Sequence, residues 1–172
     1  MEIYFVRHTT PAIEKGVCYG QTDLDVASSF DVELEGVLAQ LPTHVDAVFS
    51  SPLRRCATLA SKINNRPILD KRIVELNFGD WEMQKWDDIP INEIQPWYDD
   101  FVYEACLNGE SYFELSERAI NFYNDVLRLE QKVVVIVTHS GIIRSLLAYL
   151  NGIELKESFD EFKIPYGAVF KV

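Results

Sequence analysis

The stretch Ile3-Tyr4-Phe5-Val6-Arg7-His8-Thr9 decides the fold, because it joins a short apolar run to an arginine and a histidine. A second apolar run, residues 133–137, leads in the same way into Thr138-His139-Ser140-Gly141. Both runs have the length and the β-branched or aromatic content of buried strands. Ligands of open α/β sheets bind outside the carboxyl ends of the strands, so we expect His8 and His139 to lie together in one crevice.

Strands and helices are predicted to alternate along the chain. The pattern gives strands at residues 2–6, 46–49 and 133–137, and a terminal strand at 168–172. Strands that alternate with helices indicate an α/β fold with a mostly parallel sheet. We predict a three-layer α/β/α sandwich in one domain, residues 1–172, since a chain of 172 residues with 48% hydrophobic content can bury a sizeable core.

Three helices are predicted from their terminal residues and apolar spacing. Ser51 is expected to cap the first helix, with Pro52 as its first helical residue. Ser111 begins a sequence with the spacing of a capping box at the start of the second helix. The third helix covers residues 141–150 and is ended by Asn151-Gly152.

Residues 77–107 do not fit this alternation, and we predict a small cap or insertion there. The segment is rich in carboxylates, and it holds three tryptophans and two prolines that interrupt any long helix: Trp81, Trp86, Trp97, Pro90 and Pro96. The tryptophans either stack on a flat ligand ring or hold the cap on the sheet. Aromatic side chains chiefly supply buried area, which favours the second role.

His8 has the chemistry of a nucleophile. A neutral imidazole nitrogen can attack near pH 7, because the ordinary pKa of histidine is about 6.5. Neighbouring arginines would keep His8 uncharged, and a backbone carbonyl is expected to accept a hydrogen bond from its second nitrogen. Arg7 indicates a phosphate substrate, since guanidinium forks match phosphate oxygens. Taken alone, His8 is equally consistent with a structural histidine at a strand end.

Arg54 and Arg55 open the helix that follows Ser51-Pro52-Leu53. Free backbone amides at a helix start favour an anion, so one of the two arginines is expected to reach the phosphate. With Leu53 on the buried face, both arginines are expected to point away from the core. Periodicity therefore does not choose between them.

His139 is expected to donate a hydrogen bond to a phosphoryl oxygen, and Gly141 to let the backbone approach the ligand closely. The third histidine, His44, is predicted to be an exposed turn residue. A departing alkoxide also needs a proton from a carboxylic acid. Residues 74–82 hold three candidates that spacing alone leaves equal: Glu75, Asp80 and Glu82.

The formal net charge of −11 argues against nucleic acid and anionic membranes as partners, because both need a basic surface. A small phosphorylated substrate fits, since a few arginines can dominate the field of a cleft. No signal-like N-terminus or run of about 18 apolar residues occurs. Three cysteines without C-x-x-C spacing indicate free thiols and no zinc site. We expect a cytoplasmic protein without metal or other cofactor, and leave a homodimer open.

Five motifs follow one another along the chain: Val6-Arg7-His8-Thr9, Ser50-Ser51-Pro52-Leu53-Arg54-Arg55-Cys56, Glu75-Leu76-Asn77-Phe78-Gly79-Asp80-Trp81-Glu82, Gly109-Glu110-Ser111 and Thr138-His139-Ser140-Gly141. In this order they resemble the histidine phosphatase superfamily, the phosphoglycerate-mutase-like group. The resemblance covers nearly the whole chain. It implies a phosphoglycerate-mutase-like fold.

The resemblance also implies roles for single residues. His8 is the residue that becomes phosphorylated, and Glu75 is the proton donor, with Glu82 kept as an alternative. The residues that surround the phosphoryl group are Arg7, Arg55 and His139. The residues expected to bind the substrate are Thr9, Tyr19, Gly20, Gln21 and Ser140.

Within the superfamily, residues 7–11 and 16–23 look most like alpha-ribazole phosphatase, which removes the 5′-phosphate of alpha-ribazole phosphate during assembly of the cobalamin nucleotide loop. The expected function is that of a metal-independent phosphomonoesterase with a phosphohistidine intermediate. One alternative is a phosphatase or mutase of sugar phosphates, phosphoglycerate or nucleotides, and another is a non-catalytic phosphate-binding protein. Met83 replaces a glycine common in relatives. Glu14 replaces a phosphate-contacting asparagine of the mutases and so argues against mutase activity.

Overall fold

The structure, a computed structural model, describes residues 1–172. Five strands form one sheet: β1 (Glu2–Arg7), β2 (Ala47–Ser50), β3 (Ile68–Leu69), β4 (Val133–Thr138) and β5 (Val169–Lys171). Their order across the sheet is β3-β2-β4-β1-β5. All neighbouring strands are parallel except β5, which pairs antiparallel with β1. The predicted mostly parallel sheet is confirmed.

Six α-helices accompany the sheet: α1 (Phe30–Leu38), α2 (Arg54–Ile63), α3 (Ile91–Asp99), α4 (Tyr112–Val126), α5 (Ser140–Asn151) and α6 (Ser158–Glu161). Short 3₁₀ helices occur at Lys71–Ile73, Gly79–Trp81 and Trp86–Asp88. The segment expected to form a cap thus contains two 3₁₀ helices and α3. None of the helices combines the length and the apolar character that crossing a bilayer requires.

Both faces of the sheet are buried, because alternate residues of each central strand enter different cores. Ile3 and Phe5 of β1 belong to the larger core, together with side chains of α4 and α5. Tyr4 and Val6 belong to the smaller core, together with side chains of α1 and α2. A strand buried on both faces reads as a continuous apolar run, as residues 3–6 do. The predicted three-layer α/β/α sandwich is confirmed.

Most of the predicted elements are confirmed to within a few residues. Ser111 and Glu114 form the expected capping box at the start of α4. Gly152 ends α5 in the left-handed conformation, at φ 65°, where a residue without Cβ is favoured. Four elements, α1, α3, α6 and β3, were not predicted, and α3 accommodates Pro96 within its length.

The prediction for the start of α2 is wrong. Leu53, in an extended conformation, is the cap residue, and the first helical residue is Arg54 instead of Pro52. Ser51 is fully buried, and the only backbone amide that donates to its hydroxyl is that of Leu53, which lies outside the helix. Its hydroxyl is therefore directed into the protein and does not cap the helix.

Candidate active site

The two histidines that follow β1 and β4 lie side by side. The strands are parallel neighbours, and their last residues, Arg7 and Thr138, are opposite each other in the register. The ring centroids of His8 and His139 are 5.0 Å apart, and both residues are buried. The geometry brings together the two imidazoles that the sequence predicted to meet at the carboxyl edge of the sheet.

The contacts of His8 define its tautomer. Its Nδ1 lies 2.7 Å from the Thr9 carbonyl oxygen. A carbonyl only accepts, so Nδ1 carries the hydrogen and Nε2 keeps its lone pair. Burial, followed by the charges of Arg55 and Arg7, lowers the pKa of His8 well below its ordinary value. His8 is therefore neutral at pH 7, with a nucleophilic nitrogen available.

Arg55 is fully buried, which corrects the expectation that it points away from the core. Its Nη1 donates to the Thr22 carbonyl at 2.8 Å and its Nη2 to the Gly20 carbonyl at 2.6 Å. Arg54 behaves as expected of a surface residue, because its exposed guanidinium pairs with Asp25 at 2.8 Å. The structure thus separates two arginines that periodicity left equal.

Two tyrosines cover the guanidinium groups. The Tyr166 ring lies 3.8 Å from Cζ of Arg7, and the Tyr19 ring lies 5.4 Å from Cζ of Arg55. The two phenol hydroxyls are hydrogen-bonded to each other. Burial and this bond raise the pKa of Tyr19, and the face of each phenol ring attracts a cation. Each guanidinium group is therefore held against the face of a tyrosine ring.

Three buried hydrogen-bonding atoms beside His8 have no partner in the protein. They are Nε of Arg7, Nε of Arg55 and Oγ1 of Thr9. Leaving a buried donor unpaired costs free energy, so native proteins rarely do it without a function. Two cationic donors and a hydroxyl are suited to the oxygens of one small anion such as a phosphoryl group.

The three candidate acids have different surroundings. Glu75 lines the cavity beside His8, and its Oε2 accepts bonds from the Gly141 amide at 3.2 Å and the Ser140 hydroxyl at 3.3 Å. Both carboxylate oxygens of Glu82 accept backbone amides, among them the Thr22 amide at 2.7 Å. Asp80 accepts a bond from the exposed Asn108 side chain. Only Glu75 among the three faces the cavity.

Gly141 lines the cavity and lies against the candidate acid. A Cβ built on this residue would lie 2.3 Å from Oε1 of Glu75. The missing side chain therefore makes room for the Glu75 carboxylate, and the close approach of a ligand to this backbone stays a prediction. A side chain at position 141 would displace the acid from the cavity.

The residues predicted to bind substrate occupy different positions. Tyr19 and Ser140 line the cavity. Gly20 and Gln21 support it from outside, since the Gly20 carbonyl holds Arg55 and the Gln21 amide side chain donates to the Glu75 carbonyl oxygen at 3.1 Å. Thr9 is fully buried and does not line the cavity, and its hydroxyl has no partner in the protein.

An apolar cavity of about 210 Å³ adjoins His8. It is lined by 15 residues, of which nine are hydrophobic. Its aromatic wall consists of Tyr19, Phe78, Trp86, Trp97, Phe101, Tyr112 and Phe159. Trp86 and Trp97 are stacked, with ring centroids 6.1 Å apart, whereas Trp81 is buried in the core. Two of the three tryptophans thus face the space beside the anion site.

Sequence reasoning did not identify Tyr166 or Arg144. Tyr166 is in the turn before β5, and the antiparallel pairing of β5 with β1 returns it to His8. Arg144 lines the cavity and lies over the Phe159 ring at 4.2 Å. Its position one helical turn after Ser140 in a predicted helix was the available signal for Arg144.

Possible metal ligands are not clustered. The structure contains no group of three or more histidine, cysteine, aspartate or glutamate side chains that could hold a metal ion. Its three cysteines are free and buried. His44, as predicted, is exposed and contacts only Asp46.

Comparison with known proteins gives consistent results. An adenosylcobalamin/alpha-ribazole phosphatase of Escherichia coli K12 is 26% identical over 183 residues, 97% of this chain and 87% of that protein. A protein of Hydrogenobacter thermophilus, provisionally named phosphoserine phosphatase 2, is 27% identical over 167 residues, 90% of this chain and 80% of that protein. The crystal structure of an alpha-ribazole phosphatase from Shigella flexneri has the same fold, with a TM-score of 0.90, 21% identity and coverage of 99% and 89% of the two chains. The family model of the histidine phosphatase superfamily (branch 1) matches residues 3–172, and the chain belongs to that superfamily.

Proposed function

We propose that this protein is a metal-independent phosphomonoesterase that acts through a phosphohistidine on His8. The observation that carries the proposal is a neutral histidine with a free Nε2, held next to three buried donors that lack partners. The relatives are named as phosphatases, which supports hydrolysis of a phosphate ester. The substrate is a small phosphorylated molecule, and no nucleic acid is involved. Three free thiols support a cytoplasmic location.

The reaction has two displacement steps. In the first, the Nε2 lone pair of His8 forms a bond to phosphorus while the ester P–O bond breaks, and the departing oxygen takes the proton of Glu75. In the second, water attacks the phosphohistidine, Glu75 takes a proton from the water, and the P–N bond electrons return to Nε2. Arg7, Arg55 and His139 hold the phosphoryl oxygens throughout.

Glu75 is the donor in this scheme because of its position. It lines the cavity, where its Oε2 accepts bonds from Ser140 and Gly141 and its Oε1 accepts one from the Leu76 amide at 3.0 Å. Glu82 does not line the cavity, and its two oxygens tie residues 21 and 22 to residue 78. We assign Glu82 to holding the loop that carries Gly20 and Gln21.

Glu75→Gln should lower kcat by about 10²-fold for alkyl phosphates, because a poor leaving group needs the proton. The kcat for nitrophenyl phosphate should fall far less, since nitrophenolate departs without protonation. The measurement is kcat for both esters in the wild type and in the variant. Equal slowing of the two esters would reject Glu75 as donor. Glu82→Gln is the matched control, and it should slow both esters to the same extent.

The leaving group is the base-bearing part of a nucleoside-like phosphate, and alpha-ribazole 5′-phosphate is our preferred substrate. The stacked Trp86 and Trp97, with Phe78 packed edge-on against both, form an apolar wall suited to a flat benzimidazole ring. The similarity to the Escherichia coli phosphatase supports this assignment. Glu14 is exposed and paired with Lys85, away from the cavity lining, which favours hydrolysis over mutase activity.

Phosphoserine is the second candidate. The Hydrogenobacter relative and Arg144 favour it, because a guanidinium in the cavity could pair with the serine carboxylate. The wall nevertheless provides far more apolar surface than a serine can cover. The two candidates therefore differ in their dependence on the aromatic wall.

A substrate panel ranked by kcat/KM separates the candidates. Alpha-ribazole phosphate should rank above phosphoserine, phosphoglycerates, sugar phosphates and mononucleotides. Trp86→Ala should lower kcat/KM for alpha-ribazole phosphate by about tenfold, as stacking on one aromatic side chain typically provides. The same variant should leave nitrophenyl and glycerol phosphates within a few-fold of the wild type. First rank for phosphoserine, with no effect of Trp86→Ala, would favour the second candidate.

A further inference from the structure

Ser51 has an unexpected neighbour. Its hydroxyl oxygen lies 2.8 Å from Nε2 of His139, and both residues are fully buried. Ser51 stands in the connection between β2 and α2, while His139 follows β4. The Leu53 amide donates to the same hydroxyl oxygen at 3.3 Å, so the hydroxyl hydrogen of Ser51 remains free to be donated elsewhere.

The second ring nitrogen of His139 has no oxygen partner. Nδ1 lies 3.9 Å from the sulfur of Cys56, and no protein carbonyl, hydroxyl or carboxylate is bonded to it. Burial and the charges around it lower the pKa of His139, so the ring carries one hydrogen. That hydrogen is on Nδ1 if Ser51 donates to Nε2, and on Nε2 if Ser51 accepts.

We propose that Ser51 is a positioning residue that donates its hydroxyl hydrogen to Nε2 of His139 and thereby fixes the tautomer with the hydrogen on Nδ1. This tautomer keeps a donor that no protein oxygen uses, available for a phosphoryl oxygen. The catalytic consequence rests on the proposed function. The tautomer itself is a property of the free protein.

Cys56 competes with Ser51 for the hydrogen bond to Nε2 of His139. Its sulfur lies 3.5 Å from Nε2 of His139 and 3.5 Å from the Thr138 carbonyl oxygen. A thiol is a weak donor and a weak acceptor, and burial raises the pKa of Cys56 so that it stays protonated. The hydroxyl of Ser51 is closer and stronger, and it therefore determines the hydrogen position.

Two-bond ¹H–¹⁵N correlation spectra of the histidine-labelled protein test this inference directly. The chain has three histidines, so His8→Asn and His44→Gln suffice to assign the signals. The wild type should show His139 as the Nδ1–H tautomer. Ser51→Ala should remove that preference, whereas Ser51→Thr and the matched control Cys56→Ala should retain it. An Nε2–H tautomer in the wild type, or an unchanged His139 in Ser51→Ala, would overturn the proposal.

The kcat of the Ser51 variants provides a second test of the inference. Ser51→Ala should lower kcat for phosphate esters on the order of tenfold, less than the 10²–10³-fold loss for a donor removed outright, because the donor is misplaced in only part of the molecules. Ser51→Thr should recover most of this activity, which a general packing defect would not permit. If all phosphate esters fail as substrates while the tautomer results hold, the proposed function is wrong and the role of Ser51 stands. If the esters react but the tautomer results fail, the proposed role of Ser51 is wrong and the proposed function stands.

Discussion

Replacing His8 with alanine is expected to abolish turnover, lowering kcat on the order of 10⁴-fold or more, as loss of an attacking residue does in enzymes with a covalent intermediate. The neutral ring with its free Nε2 is the only group placed to attack among the donors around the anion site. The two arginines remain in this variant. Binding of inorganic phosphate should therefore persist while catalysis is lost.

Phosphate release and rapid-quench trapping measure this effect. In the wild type, a quench during turnover should yield a protein labelled with one phosphoryl group that is stable in base and labile in acid, and His8→Ala should yield none. His44→Ala is the matched control, since His44 is exposed and bonded only to Asp46. A fully active His8→Ala protein would refute the covalent mechanism. A wild type that binds phosphate but never turns over an ester would indicate the non-catalytic alternative.

The sheet and the meeting of the two histidines could be predicted from sequence because both depend on local patterns. Residues 3–6 and 133–137 are continuous apolar runs, as expected for strands buried on both faces. In a parallel pair, whatever follows the two strands emerges at the same edge. Because β1 and β4 also pair directly, His8 and His139 are neighbours.

Other parts of the site depend on helix phase and on distant contacts. Helix α2 begins two residues later than predicted, and Leu53 precedes it, so Leu53 does not mark the buried face and Arg55 is buried instead. Tyr19 and Tyr166 are 147 residues apart in sequence, and only the return of β5 to β1 brings them together. Ser51 has the residue type and position of a helix cap, and its contact with His139 becomes visible only in three dimensions.

Arg55→Ala is expected to lower kcat/KM about 10³-fold, because it removes one of the two cationic donors whose buried Nε has no partner in the protein. It also leaves the carbonyls of Gly20 and Thr22 without their partner. A buried polar group left unpaired costs about 1–3 kcal/mol, so the free energy of unfolding should fall as well. Arg55→Lys should recover only part of both losses, since an ammonium keeps the charge without the planar fork.

Arg54→Ala is the matched control, because Arg54 is adjacent to Arg55, is of the same residue type and lies in the same helix. Its guanidinium is exposed and pairs with Asp23 and Asp25, so kcat/KM and urea unfolding should match those of the wild type. Inhibition by inorganic phosphate separates the two roles of Arg55. Inhibition is measured under conditions in which circular dichroism shows that Arg55→Ala is folded. Weaker inhibition by phosphate would show that the Arg55 side chain binds the anion. Unchanged inhibition would show that Arg55 only holds the loop of residues 20–22.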